Sequence, residues 1–219
     1  MSDARQLIYG KRPVAEAERG RREVRRVWRA PETSVEELER LCGSPDHQGV
    51  VAEVDPYPYA DPVELLAVQG ALIVALDQVQ DPRNLGAVAR SGEAAGAAGL
   101  VIPERRAAEV TAVACKASAG AVEHLPVARV RNLADWLAAA KRAGFWIWAA
   151  DAGVDQAPWD ADLTGPTILV LGAEGKGIRP RVLAACDGRV ALPRRGETAS
   201  LNVSSAAAAL LFEAVRQRR

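Results

Sequence analysis

The residues best suited to chemistry gather in three stretches. The first is DQVQDPRNLGAVARSGEAAG, residues 77–96, where Asn84 stands just behind Pro82 and Arg90 follows six positions later among Ala, Val, Leu and Gly. The second, LGAEGKGI at 171–178, sets Glu174 among Gly172, Gly175 and Gly177, so backbone amides can come close to a ligand beside a carboxylate. The third, LPRRGETASLNVSSAAAAL at 192–210, brings Ser200 and Asn202 to the start of an Ala-rich run. Together these groups could grip a phosphate, polarise a hydroxyl and orient one another. Each also has a plainer role. Asn84, Ser200 or Asn202 could cap helices, Arg90 could face solvent, and Glu174 could be a solvated acid in a turn.

Several chemistries are disfavoured. The only histidines, His47 and His124, lie outside the three stretches, and Cys42, Cys115 and Cys186 are odd in number and outside any CxxC. A zinc centre, a disulfide framework and a Ser-His-Asp triad are therefore not indicated. Neither GxxxxGK followed by Ser/Thr nor GxGxxG occurs, which counts against phosphate-loop NTPases, nicotinamide enzymes and Rossmann-type methyltransferases.

Positioning these groups requires a scaffold, and the hydrophobic pattern supplies one. ALIVAL at 71–76 and TILVL at 167–171 are continuous apolar runs, as expected of parallel strands covered on both faces. Between and around them the pattern predicts a helix over 84–97, a strand at 99–102, a helix near 109–119, a strand near 125–130, a helix over 133–143, a strand at 145–149 and a last helix to about 216. That alternation means an α/β sheet with mostly right-handed crossovers, and ligands of such sheets bind beyond the carboxyl ends of the strands. Before it, strands at 7–9, 23–28 and 48–54, a helix from Pro13 to about 19 and a second over 35–41, capped by Thr33 or Ser34, make a small α/β module. DPYPYADP, 55–62, reads as the linker.

The 219 residues are 49% hydrophobic, enough for a proper core, and their formal charge is zero. The distribution is uneven: residues 1–30 hold nine Lys/Arg against four acids, while 31–70 hold Arg40 alone against nine. The basic block can serve as a phosphate-contacting patch or as a solvated face. No apolar run approaches the ~18 residues that cross a bilayer, and the N-terminus lacks a signal-peptide stretch, so a cytoplasmic protein without membrane contact is expected.

Taken in order and spacing, DPRNLGAVAR, LGAEGKGI and LPRRGETASLNVSSAAA resemble motifs 1, 2 and 3 of the SpoU (TrmH-type) ribose 2′-O-methyltransferases of the SPOUT superfamily, over nearly all of residues 70–219. IYGKRPVAEAERG and the run Asp46 to Val50 resemble the L30e-like RNA-binding domain of the branch that methylates a guanosine in the peptidyl-transferase centre of 23S ribosomal RNA, shortened here between Trp28 and His47. The resemblance implies an L30e-like domain over 1–60, a linker over 61–70 and, over 71–219, a methyltransferase domain with a C-terminal trefoil knot. It also implies S-adenosyl-L-methionine as cofactor, a homodimer through the methyltransferase domain, and RNA as substrate. Asn84, Arg90, Glu174, Ser200 and Asn202 would form the reaction centre, with Arg90 proposed in the family as base. A guanidinium, with its pKa above ~12, suits a bidentate grip on phosphate better, Glu174 and Asn84 orienting it and Asn202 the ribose. Gly172, Gly177, Ile178, Leu192, Pro193 and Leu201 would line the cofactor, and Lys11, Arg12, Arg21, Arg22 and His47 would contact RNA. No metal is implied. Transfer RNA, another ribosomal site of the resistance-methylase kind, and a catalytically inactive RNA-binding role in ribosome assembly stay open.

Overall fold

A computed structural model describes residues 5–197 and 201–219. Ser200 lies outside the described residues. By compactness the chain forms two units: one of residues 1–58, 82–90 and 109–124, the other of 59–81, 91–108 and 125–219.

In the first unit, β1 (Gln6–Tyr9), β2 (Val24–Arg29) and β3 (Val50–Val54) form an antiparallel sheet in the order β1-β3-β2. Two helices accompany it, α1 (Lys11–Ala17) and α2 (Val35–Cys42). Of the two candidate caps of α2, Ser34 is the one used: its Oγ accepts from the Glu37 amide, and Gly43, left-handed at φ 65°, ends the helix. Leu38 packs with Tyr9 and Val51 as the module's apolar cluster. The front of α3 (Pro82–Ala94) and all of α4 (Ala112–Ala117) belong to this unit too. They approach so closely that a Cβ on Gly86 would stand 2.4 Å from the Ala114 carbonyl oxygen.

The second unit is built on a six-stranded parallel sheet, β6-β5-β4-β8-β7-β9. Its strands are β4 (Leu72–Asp77), β5 (Gly99–Pro103), β6 (Val127–Val130), β7 (Trp146–Ala150), β8 (Thr167–Gly172) and β9 (Gly188–Val190). Every residue of β4 is buried, and β4 pairs in parallel with β5 on one side and β8 on the other, as its unbroken apolar run requires. Ile73, Ala75, Ile168 and Val170 meet Leu133, Leu137 and Ala140 of α5 (Leu133–Arg142) in the main core. The short α6 (Pro180–Leu183) precedes β9, and α7 (Val203–Gln217) closes the described fold. No helix among the described residues is long and apolar enough to cross a membrane.

One buried charge pair holds the first unit. Arg22 and Glu123 have side chains 0% and 1% exposed and meet in a bidentate contact. The guanidinium also donates to Gln6 Oε1 at 2.8 Å and to Cys115 Sγ at 3.3 Å, and lies 5.5 Å from the centre of the Tyr57 ring. Burial pushes the Cys115 thiol up to about 11, so it is protonated at neutral pH. Removing one partner leaves an uncompensated charge in the interior, so Glu123→Ala is expected to cost about 3 kcal/mol or more in urea unfolding, with little change in the m-value. A loss below about 1 kcal/mol would show that the pair does not hold the unit.

Candidate functional site

All six strands of the second unit run parallel, so their carboxyl ends share one edge. There the ends of β7, β8 and β9 enclose a cavity of about 510 Å³, within the ~300–1,000 Å³ usual for small-molecule sites. One wall is the segment after β8. It turns back at once, Ala173 bridging Gly177 with a 2.8 Å bond from the Gly177 amide to the Ala173 carbonyl. Gly175 and Gly177 take left-handed φ values of 75° and 65°. A Cβ on Gly172 would fall 2.1 Å from the Gly177 carbonyl carbon, so the strand end and its returning loop fit together only without a side chain there.

The loop is fastened below by Asp77, wholly buried at the end of β4 and in register with Gly172. Its Oδ2 accepts the Arg179 amide at 2.8 Å. Its Oδ1 accepts Nε at 2.8 Å and lies 2.6 Å from Nη2. One carboxylate thus ties both the backbone and the side chain of Arg179 to the central strand.

At the rim, Asn202 joins two elements. Its Oδ1 caps α7 by accepting the Ser204 amide at 2.9 Å, and its Nδ2 donates to Glu174 Oε1 at 2.7 Å. The same side chain thus caps α7 and reaches Glu174, which lines the cavity. Asp151, following β7, also lines the cavity and accepts the Gly153 amide at 3.0 Å.

Of the residues expected to hold a cofactor, Gly172, Gly177, Ile178, Leu192 and Leu201 line this cavity together with Glu174; Pro193 is exposed and not part of the lining. Asn84 is not the cap of α3 but its third residue, half-buried inside a helix that starts at Pro82. Arg90 is exposed on the same helix, about 120° round from Asn84 at helical spacing.

Lys11 and Arg12 are exposed at the start of α1. Arg21 is exposed, with Nη2 donating to Tyr57 Oη at 3.0 Å and Nε to the Glu123 carbonyl at 3.3 Å. Two expectations are corrected. Arg22 is spent on Glu123 in the interior, and His47 is 4% exposed with Nδ1 accepting the Gly49 amide, so neither presents its charge or ring to a surface. Acids also pair with Arg5, Arg19, Arg25 and Arg29, leaving the basic block less cationic than its composition.

A parallel α/β sheet, a glycine loop folded against its own strand and a cavity at the carboxyl edge define a ligand-binding fold of the SpoU methyltransferase kind. The chain belongs to the SpoU rRNA methylase family, whose model matches residues 71–212; a second model, for RNA 2′-O ribose methyltransferase substrate binding, matches 30–60. It is 41% identical to an uncharacterized tRNA/rRNA methyltransferase of Mycolicibacterium smegmatis over 100% of this chain and 78% of that one, and 38% identical to another of Synechocystis over 99% and 64%. The SpoU methyltransferase AviRb from Streptomyces viridochromogenes, solved in complex with AdoMet, is 32% identical with a TM-score of 0.81, covering 98% of this chain and 90% of its own. The A. aeolicus TrmH/SpoU tRNA modifying enzyme is 31% identical with a TM-score of 0.62, covering 72% of this chain and 80% of its own.

Asp77 and Arg179 escaped the sequence reading, although an acid closing the apolar run ALIVALD is a visible signal. Asp77→Ala should raise the hydrogen-exchange rate of the Arg179 amide at least tenfold while amides of β5 and β6 keep their protection, as local opening without global unfolding requires. Unchanged protection of Arg179 would mean that the loop is held by other contacts.

Proposed function

We propose that this protein is an S-adenosylmethionine-dependent RNA methyltransferase acting on a ribose 2′-hydroxyl, most specifically on a guanosine of 23S ribosomal RNA. The observation that carries the reading is the cavity at the carboxyl edge, with Glu174 held at its rim by Asn202. The donor set fits the cofactor. Leu171, Ile178, Leu192 and Leu210 offer apolar walls, backbone groups of 172–178 offer a cradle that excludes a Cβ, and Asp151 and Glu174 offer carboxylates to hydroxyl and cationic groups. When bound, S-adenosylmethionine supplies an electrophilic methyl on its sulfonium.

The chain's own residues then have to place the ribose oxygen in line and deal with its proton. Positioning supplies several kcal/mol of the barrier reduction. Arg90 grips the phosphate beside the target ribose bidentately and polarises the hydroxyl, the proton leaving to water or phosphate. Asn84 and Ser200 complete the centre. Asn202, with its amide committed to Glu174 and to the cap of α7, acts through Glu174 rather than on the ribose directly.

The matching family's own description, SpoU rRNA methylase, supports ribosomal over transfer RNA, and the likeness to the A. aeolicus tRNA modifying enzyme covers 72% of the chain. Within this reading, residues 1–60 form the L30e-like domain, 61–70 the linker and 71–219 the knotted methyltransferase domain. Lys11, Arg12 and Arg21 remain its RNA contacts, and two copies pair through the methyltransferase domain. Exposed Phe212 on α7 and exposed Trp159, near where Gln217 donates to the Pro158 carbonyl, suit such an interface.

Calorimetry should give saturable heat with S-adenosylmethionine and none with NAD, and EDTA should leave turnover intact; the reverse would refute the cofactor. Arg90→Ala should lower the single-turnover rate more than a hundredfold, equivalent to about 3 kcal/mol, with cofactor affinity within about twofold. Arg90→Lys, which keeps charge but loses the fork, should be severely impaired across pH 7–10 if Arg90 clamps phosphate, and better preserved if it is a base. Near-normal Arg90→Ala would remove Arg90 from the centre. Mapping 2′-O-methyl groups in RNA from cells with and without the protein identifies the nucleotide, and a lost methyl in tRNA would replace the ribosomal target.

A further inference from the structure

The carboxyl edge of the parallel sheet does not stop at the cavity. From β8 it continues through β4 to β5 and β6, and the loops leaving those two strands carry Arg105, Arg106 and Arg131, all exposed. Pro103 pairs with Val130, and the Glu104 amide donates to the Val130 carbonyl at 2.9 Å, so the two loops leave the sheet side by side. Arg129 ties them together. Its Nη2 donates to the Glu104 carbonyl at 3.3 Å, while its guanidinium lies 5.0 Å from the centre of the Tyr59 ring. Tyr59 is held there because Ala60 bridges Ala128 along β6.

The charge of this strip is open to a partner. No acid pairs with Arg105, Arg106 or Arg131 among the described residues, and the exposed acid within the strip is Glu104. Nearby Asp135 is taken by Arg181 at 2.8 Å, and Asp61 accepts the Val63 amide at 2.8 Å. Arg106 also sits at φ 59°, a left-handed conformation that a non-glycine residue adopts at a cost and that favours functional loops. Neighbouring strands stand about 4.8 Å apart, so the strip begins roughly 10 Å along the edge from the end of β8. That is a few nucleotides' distance from the cavity.

We propose that this strip binds the RNA backbone, taking the phosphates that flank the target nucleotide as the strand crosses the ends of β4, β5 and β6. Arg105, Arg106 and Arg131 are the phosphate contacts, and Tyr59 with Arg129 is a flat surface on which a base can stack. The proposal rests on the RNA methyltransferase reading above. It gives the parallel-sheet unit an RNA surface of its own, additional to the basic residues of the N-terminal module.

The test is binding of a labelled transcript of the 23S peptidyl-transferase loop to the full chain over a range of salt concentrations. In the variant combining Arg105→Ala, Arg106→Ala and Arg131→Ala, the Kd should rise at least about tenfold near 150 mM salt, and the log-log salt slope should become shallower by about 2. Arg142→Ala, one charge lost just before β7 at the opposite edge, should stay within about twofold of the unmodified protein. Calorimetry with S-adenosylmethionine on each variant reports whether the cavity is intact. Should the combined variant fail to bind it, Arg105→Ala and Arg131→Ala singly should each flatten the slope by about 0.7. A slope for these variants no different per charge from that of Arg142→Ala would overturn the proposal, as would tight, unchanged RNA binding by a strip that serves a protein partner instead. An unmodified protein that neither binds nor methylates the transcript would be a failure of the methyltransferase reading itself.

Discussion

A carboxylate buried at the end of the central strand has to be neutralised where it stands. Asp77 closes β4 with no exposed surface, and an unpaired charge in such a place costs several kcal/mol. Arg179 meets the need from 102 residues further on, giving both a backbone amide and a guanidinium. Because that guanidinium keeps 43% of its side-chain surface exposed, the pair's net stabilisation is modest. Its geometric consequence is larger. The chain leaving β8 returns to the end of β4 within seven residues through the tight reversal over 173–177. The glycine loop, the missing Cβ at position 172 and one wall of the cavity all lie on that return.

The rim of the cavity is organised by a second economy of groups. Asn202 must satisfy an amide at the start of α7, as any helix start demands, and it does so with its carbonyl oxygen alone. The other half of the side chain is left to hold Glu174. An aspartate cap would satisfy the helix equally well but would set a second carboxylate against Glu174. A serine would cap without reaching it. The choice of asparagine thus follows from two demands, one local to the helix and one from the site.

Much of this was legible in the sequence, and the failures are instructive. The apolar runs at 71–76 and 167–171 read as covered parallel strands, and they became β4 and β8. Glu174 falls just beyond the end of β8, where open α/β sheets bind ligands, while Asn84 and Arg90 lie on α3. In contrast, β9 and α6, three and four residues long, carry too little periodicity to be seen. Asn84 looked like a helix cap because nothing local says that Pro82, at the permissive start of a helix, is already inside it. Arg22 looked like its eight basic neighbours, because an arginine's type says nothing of whether a partner as distant as Glu123 will bury it. Asp77 was hidden for the same reason: charge is local, but burial and pairing belong to the fold.

The most direct test of the account is the chemical position of the methyl group that this protein transfers. RNA methylated with labelled S-adenosylmethionine would be hydrolysed in alkali, which needs a free 2′-hydroxyl to cleave the neighbouring phosphodiester. The account predicts that the label is recovered in alkali-resistant dinucleotides. Label recovered in mononucleotides, the mark of methylation on a base, would contradict it, as would the absence of any transfer to RNA.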